Sequence, residues 1–236
     1  MLRSLIVLCS VLVLSSMIYA QNAPVAPAAY PSELTKGTSY TGFHWTPGVG
    51  DFNGKVAALV PSYTTGGDYT QMSLYGVNYG YFISTGWAVE GILDFGSTST
   101  EENITGGTGT VKNSATEFGI TAMGKYYFVP KFQDVAVWVG GAITFGSLSA
   151  TTEVTGNANP SKTEFSGSSI GFGVDFGAQY FIAEGFALSG DYMLGYVSLA
   201  KPEITQTINN ISTTTEGPSA SVFGTMTGSL SIIFYF

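Results

Sequence analysis

Residues 221–236 alternate with a period of two. Val222, Gly224, Met226, Gly228, Leu230, Ile232, Phe234 and Phe236 fall on one side. Ser221, Thr225, Thr227, Ser229 and Ser231 fall on the other, interrupted by Phe223, Ile233 and Tyr235. Successive side chains of a strand point to opposite faces, so this pattern describes a strand lying between two different solvents. Lipid on the apolar side cannot satisfy an open sheet edge. The segment therefore reads as a strand that closes a barrel in lipid.

Composition supports that reading. Charged residues make up 10% of the chain, with 31 Gly, 14 Tyr and 16 Phe, whereas ordinary soluble domains carry roughly 25% charge. The first 20 residues, with Arg3, an apolar run over 5–14 and Ala20, have the layout of a secretory signal peptide (1–20). The single cysteine, Cys9, lies inside it, so the mature chain would have no thiol chemistry and must be held by a large core or a closed ladder. Residues 21–35 are rich in Ala and Pro, lack alternation and read as an extended leader. The formal charge of −8 argues against nucleic acid as a partner.

From residue 36 onward the chain repeats. Y-F-I-S-T-G-W-A-V (81–89) and Y-F-I-A-E-G-F-A-L (180–188) match, and Y-Y-F-V-P-K-F-Q-D-V-A-V (126–137) is a looser version. Each sets an aromatic pair at one strand end, then a short turn, then an apolar alternation. Phe82, Phe128, Phe181 and Phe236 stand in register as four strand ends at the short-turn side. Between the turns, residues 97–114, 149–162 and 199–218 are rich in Thr, Ser, Gly and Asn and read as long outer loops, with 48–68 as a fourth. Short turns alternating with long loops is the asymmetry of an outer-membrane barrel. The spacing predicts strands over about 37–46, 69–82, 87–96, 115–128, 135–147, 164–181, 186–198 and 219–236. The rival first strand, 54–63, contains Pro61, which lacks a ladder donor.

On the third predicted strand Trp87, Val89, Gly91, Leu93 and Phe95 face one way, as do Phe118, Ile120, Ala122, Gly124, Tyr126 and Phe128 on the fourth. Phe118 to Phe128 spans ten steps of about 3.3 Å, which at a tilt near 40° rises roughly 25 Å. Tyr81, Trp87, Tyr126, Phe128, Tyr180 and Phe186 would make an interfacial aromatic girdle.

This layout, the G-x-x-Y-F type turns and the final Phe236 resemble the small eight-stranded bacterial outer-membrane β-barrel family that includes OmpA-like transmembrane domains and the OmpX and OmpW types. The resemblance covers 36–236. It implies an all-β, antiparallel, up-and-down transmembrane barrel in the bacterial outer membrane, in contact with membrane lipid. It also implies that Phe236 and Phe234 are read by the barrel assembly machinery. Ser231 stands where the family usually has Gly.

Alternation sends Glu90, Asp94, Glu117, Lys125, Asp175 and Asp191 inward. Glu90 and Lys125 each sit four positions into their strands and are expected to pair. Antiparallel extension of the third turn sets Asp175 nearly opposite Asp191, and two like charges in a narrow lumen cannot both ionise cheaply. The expectation is a hydrated polar network filling the lumen, with a cation or proton path as the sharper reading. An eight-stranded barrel is just wide enough for side chains to fill it. His44, the only histidine, is expected in an interfacial or loop position. Neither a metal site nor a cofactor site is expected. Gly171, Gly173 and Gly177 face inward and are expected to relieve crowding. The N-x-S/T matches at Asn103 and Asn210 read as chance. The leading functional expectation is a non-enzymatic structural or surface-interaction role, with the outer loops meeting an extracellular ligand or surface. Alternatives are a narrow channel for small apolar or cationic solutes and, third, a lipid-modifying enzyme. A soluble sandwich or lipocalin-like binder is the competing fold.

Overall fold

A computed structural model describes residues 32–46, 73–104, 109–130, 134–156 and 160–236. The signal peptide, most of the leader, the outer loop at 48–68 and the rival strand at 54–63 lie outside the described residues. The described chain is almost entirely strand: β1 Ser39–Thr46, β2 Leu74–Ser84, β3 Trp87–Asn103, β4 Thr110–Phe128, β5 Val135–Thr155, β6 Ser161–Ala183, β7 Phe186–Leu199, β8 Glu203–Ile208, β9 Ile211–Glu216 and β10 Ala220–Tyr235.

Eight of these strands form a closed antiparallel ring in the order β1, β2, β3, β4, β5, β6, β7, β10. β10 returns to β1, where Tyr40 pairs with Tyr235 and His44 with Ser231. Closure pairs the backbone on both sides of every ring strand, which a wall in lipid requires. Phe43, Tyr79, Leu93, Phe95, Ile143, Phe172 and Leu230 are exposed on the outer face, and the side chains between them are buried inside. The first strand is the one read at 37–46.

The long-hairpin end departs from expectation. Residues 97–103 and 110–114 continue β3 and β4 in unbroken register, from Ser97 against Thr116 to Asn103 against Thr110. Residues 149–155 and 161–162 do the same for β5 and β6, and most of the loop expected at 199–218 is the β8–β9 hairpin, paired to the upper part of β6. Polarity misdirects here because Thr suits a pleated surface as well as it suits a loop. Hydroxyl pairs run across these strands: Thr110 with Thr155 at 2.9 Å, Thr205 with Thr214 at 2.9 Å and Thr207 with Ser212 at 2.8 Å.

The alternation along the last strand is not continuous. The β10–β7 register shifts between Thr225 and Thr227, and the bulge exchanges the two faces. Phe223 is thus 71% exposed on the same outer side as Leu230, Ile232, Phe234 and Phe236.

The strand-end register also needs correction. Phe128 and Phe236 face outward, whereas the inward aromatics at the four strand ends are Phe82, Tyr127, Phe181 and Tyr235. They join Tyr40 and Trp138 in one chain of rings. Successive centroids lie 5.5 Å (Trp138 to Tyr127), 5.3 Å (Tyr127 to Phe82), 5.8 Å (Phe82 to Tyr40), 5.3 Å (Tyr40 to Tyr235) and 5.7 Å (Tyr235 to Phe181) apart. This packed floor closes the short-turn end. Tilted ring pairs of this kind add to plain area burial.

Candidate functional site

Directly above the aromatic floor sits a charged centre. Lys125 on β4 donates to Glu90 on β3 at 2.9 Å, and both side chains are almost fully buried. Glu90 also accepts from the Tyr40 hydroxyl and, at 3.3 Å, from the Asn78 amide. Asp175 accepts the Trp138 indole N–H at 2.7 Å, while the Lys125 ammonium lies 4.7 Å from the centre of that ring. The Tyr235 hydroxyl donates to Gln179 at 2.8 Å. Buried charges persist only when paired and hydrogen-bonded, and here each carboxylate has a donor from another strand.

Close backbone approach makes room for these groups. A Cβ on Gly80 would sit 2.0 Å from the Tyr40 ring, and one on Gly177 would sit 2.3 Å from the Trp138 ring. The large inward side chains lie flat against bare backbone on the opposite strand.

A second polar layer lies higher. His44 faces inward on β1 rather than occupying a loop. Its Nδ1 is 3.2 Å from Ser231 Oγ across the β1–β10 seam, and its Nε2 is 2.9 Å from Thr46 Oγ1 and 3.6 Å from Asp94. Asp191 accepts from Ser229. Asp94, Glu117, Asp175 and Asp191 line one cavity of about 50 Å³ together with His44 and Thr121. The strand register sets Asp175 against Met193 and Asp191 against Gly177, so the two aspartates are offset by two residues instead of facing each other. Among the described residues no three His, Cys, Asp or Glu side chains are placed to hold a metal ion. Ile92, Met123 and Met193 also line this cavity, and towards the long-hairpin end the lumen continues apolar with Leu148, Phe165, Val197 and Ile204.

All six polar residues singled out by alternation are on the lumen side. Tyr40, Asn78, Trp138, Gln179, Ser229 and Ser231 complete the network. Asn78 and Gln179 carried a signal, being polar at inward parity. Trp138 sits in V-A-V-W-V, where an unbroken apolar run hides the face. The girdle residues Tyr81, Trp87, Tyr126, Phe128, Tyr180 and Phe186 lie on the outer wall near the short turns. Trp87 packs on Tyr126 at 4.8 Å, Tyr126 on Phe128 at 4.7 Å and Phe186 on Phe234 at 5.3 Å.

The profile of the outer membrane protein beta-barrel domain matches residues 7–224. The chain belongs to this family. It is a protein of the bacterial outer membrane, and the short turns mark the periplasmic end. No curated protein sequence matches it. Among solved structures, a major outer membrane protein of Thermus thermophilus is similar with a TM-score of 0.50 at 10% identity, covering 84% of this chain and 99% of that one. Ail, the attachment invasion locus protein of Yersinia pestis, scores 0.42 at 12% identity over 86% and 100% of the two chains. Neisserial surface protein A scores 0.36 at 16% identity over 84% and 94%. The likeness to the Thermus thermophilus protein speaks to the fold alone.

Proposed function

We propose that the protein is a closed outer-membrane barrel whose role is surface interaction through the sheet that β3, β4, β5, β6, β8 and β9 raise above the membrane. The observation that carries this is the contrast between a filled lumen and an extended outer sheet. β4 has 19 residues, which at about 3.3 Å per step and a tilt near 40° rise roughly 45 Å, against a lipid-facing band of about 25 Å. The surplus of about 20 Å stands in the extracellular space. Among the described residues β9 pairs only with β8, every β9 residue is exposed, and Ile211 reaches 73% exposure. An unpaired strand edge is a template for an extended segment of another chain.

The acidic cavity favours a cation-conducting reading, but it has the aromatic floor beneath it and the apolar layer above. The outward Phe234 and Phe236 lie on the outer face, where an assembly factor can read them, and the exposed aromatics of the wall fit lipid. His44 and Ser231 lie inside the lumen, away from the lipid face, which supports a non-catalytic role. Two measurements test the proposal. Protein reconstituted in a planar bilayer is expected to show no steady conductance. Cells displaying the wild-type chain are expected to adhere to surfaces or matrix proteins more than cells displaying a chain without 203–216. Steady cation current, or equal adherence of the two strains to all surfaces tried, would sink it.

A further inference from the structure

Residues 32–38, just ahead of β1, cross the periplasmic mouth of the barrel. Ser32–Leu34 form a single 3-10 turn, and Leu34 has 0% exposure, packed in the cluster of Tyr40, Phe82, Tyr127 and Tyr235. Polar contacts to two turns of the barrel hold it. The Leu34 carbonyl accepts from the Gly86 N–H at 3.0 Å, and Glu33 Oε1 accepts from the Gly185 N–H at 3.1 Å. Gly86 (φ 77°) lies in the β2–β3 turn and Gly185 (φ 73°) in the β6–β7 turn. Each turn is tied on its carbonyl side to a neighbouring strand end, Gly86 to the Tyr127 N–H at 2.8 Å and Gly185 to the Tyr235 N–H at 2.9 Å. Residues 37 and 38 then lead into β1, with the Gly37 N–H donating to Phe82 and the Phe82 N–H to Thr38, both at 2.9 Å.

In the ring these two turns flank the seam, because β7, β10, β1 and β2 are consecutive neighbours. The seam joins the first and last strands of the ring. Among the described residues it registers six pairs, from Tyr40 with Tyr235 to Trp45 with Leu230. We propose that residues 32–37 are a closure strap that spans the seam on the periplasmic side and locks the ring after β1 and β10 have joined. Its docking site is built from both ends of the chain and exists only in the closed barrel. The strap therefore contributes after the rate-limiting closure: it slows opening and leaves folding unaffected.

The test uses the full chain folded in detergent micelles or lipid vesicles. Glu33→Ala with Leu34→Ala is expected to raise the urea unfolding rate by about tenfold or more, from the lost Leu burial, with the folding rate within about twofold of wild type. Hydrogen exchange at the Gly185 amide is expected to accelerate in Glu33→Ala and to remain slow in Glu33→Gln, which keeps the Oε1 acceptor. An unchanged unfolding rate overturns the strap. A folding rate that falls by the same factor, or a double variant that does not fold, overturns its late docking. Equal Gly185 exchange in Glu33→Ala and wild type removes the proposed contact.

Discussion

Below Asp94 the lumen is filled by six aromatic rings and a Lys125–Glu90 pair, with bare glycine backbone beneath the Tyr40 and Trp138 rings. Above Gly96 the same strands carry rows of Thr and Ser, with hydroxyls bonded to hydroxyls and charges at the rim. The lower region has one arrangement because large rings and buried charges have few ways to fit a narrow ring of strands. The upper region is held by its backbone ladder and an inward apolar layer of Leu148, Phe165 and Ile204, and its outward side chains are interchangeable at small cost. A single chain thus joins a rigid membrane anchor to a sheet whose outer face and edge can vary.

The largest expected effect is at the charged centre. Lys125→Met leaves Glu90 buried without its cation, with only Tyr40 and Asn78 as donors, and is expected to cost about 3–5 kcal/mol in urea unfolding from micelles. Adding Glu90→Gln should recover a good part of that loss, because the orphaned charge disappears with it. A loss below about 1 kcal/mol for Lys125→Met would erase the distinction between the two regions. Next comes Gly80→Ala, whose new methyl group would collide with the Tyr40 ring and is expected to cost about 1–3 kcal/mol. The same change at Gly91, on the outer face with nothing within 4 Å of an added Cβ, should be close to neutral. Equal midpoints for the two variants would mean that the floor is looser than its ring contacts imply.

The barrel was legible because alternation, short turns and long polar stretches each express a different constraint of the same wall. The lumen parity of Glu90, Asp94, Glu117, Lys125, Asp175 and Asp191 followed from period two alone. The ends of strands were less legible. Beyond residue 96, Thr and Ser gave the composition of a loop while their backbones continued the ladder, since nothing in a hydroxyl side chain distinguishes the two. Tyr127-Phe128 and Tyr180-Phe181 look alike as aromatic pairs, yet the inward member is the first in one and the second in the other. Residue identity does not record how many residues a turn consumes. Phe223 was misassigned because a bulge inserts one residue without a sequence mark. His44 was missed as a lumen group because it stands among Phe43 and Trp45, and Leu34 because it follows an Ala/Pro-rich stretch.

The seam runs between β1 and β10, and His44 probes it. His44→Ala removes the contact to Ser231 across β1 and β10 and the one to Thr46, and is expected to cost about 1–2 kcal/mol. His44→Gln keeps a side-chain amide at that height and should fall between alanine and wild type. A variant series in which Ala and Gln both match wild type would show that the backbone ladder alone holds the seam.

The smallest effect on stability, and the largest on interaction, is expected at β9. In a hairpin with a two-residue turn, Ile208 and Ile211 exchange the closing hydrogen bonds, so the Ser212 and Thr214 N–H groups face the free edge. Thr214→Pro deletes one of those donors and the hydroxyl bond to Thr205 while leaving the β8 ladder its bonds. Proline is tolerated where the missing N–H faced solvent, so the unfolding free energy in urea should change by no more than about 0.5 kcal/mol. Adherence of displaying cells should nevertheless fall toward that of the chain lacking 203–216. If adherence is untouched while Ile211→Asp abolishes it, contact is made by the exposed hairpin tip instead of the strand edge. If Thr214→Pro unfolds the protein as Lys125→Met is expected to, the upper sheet is as tightly specified as the floor.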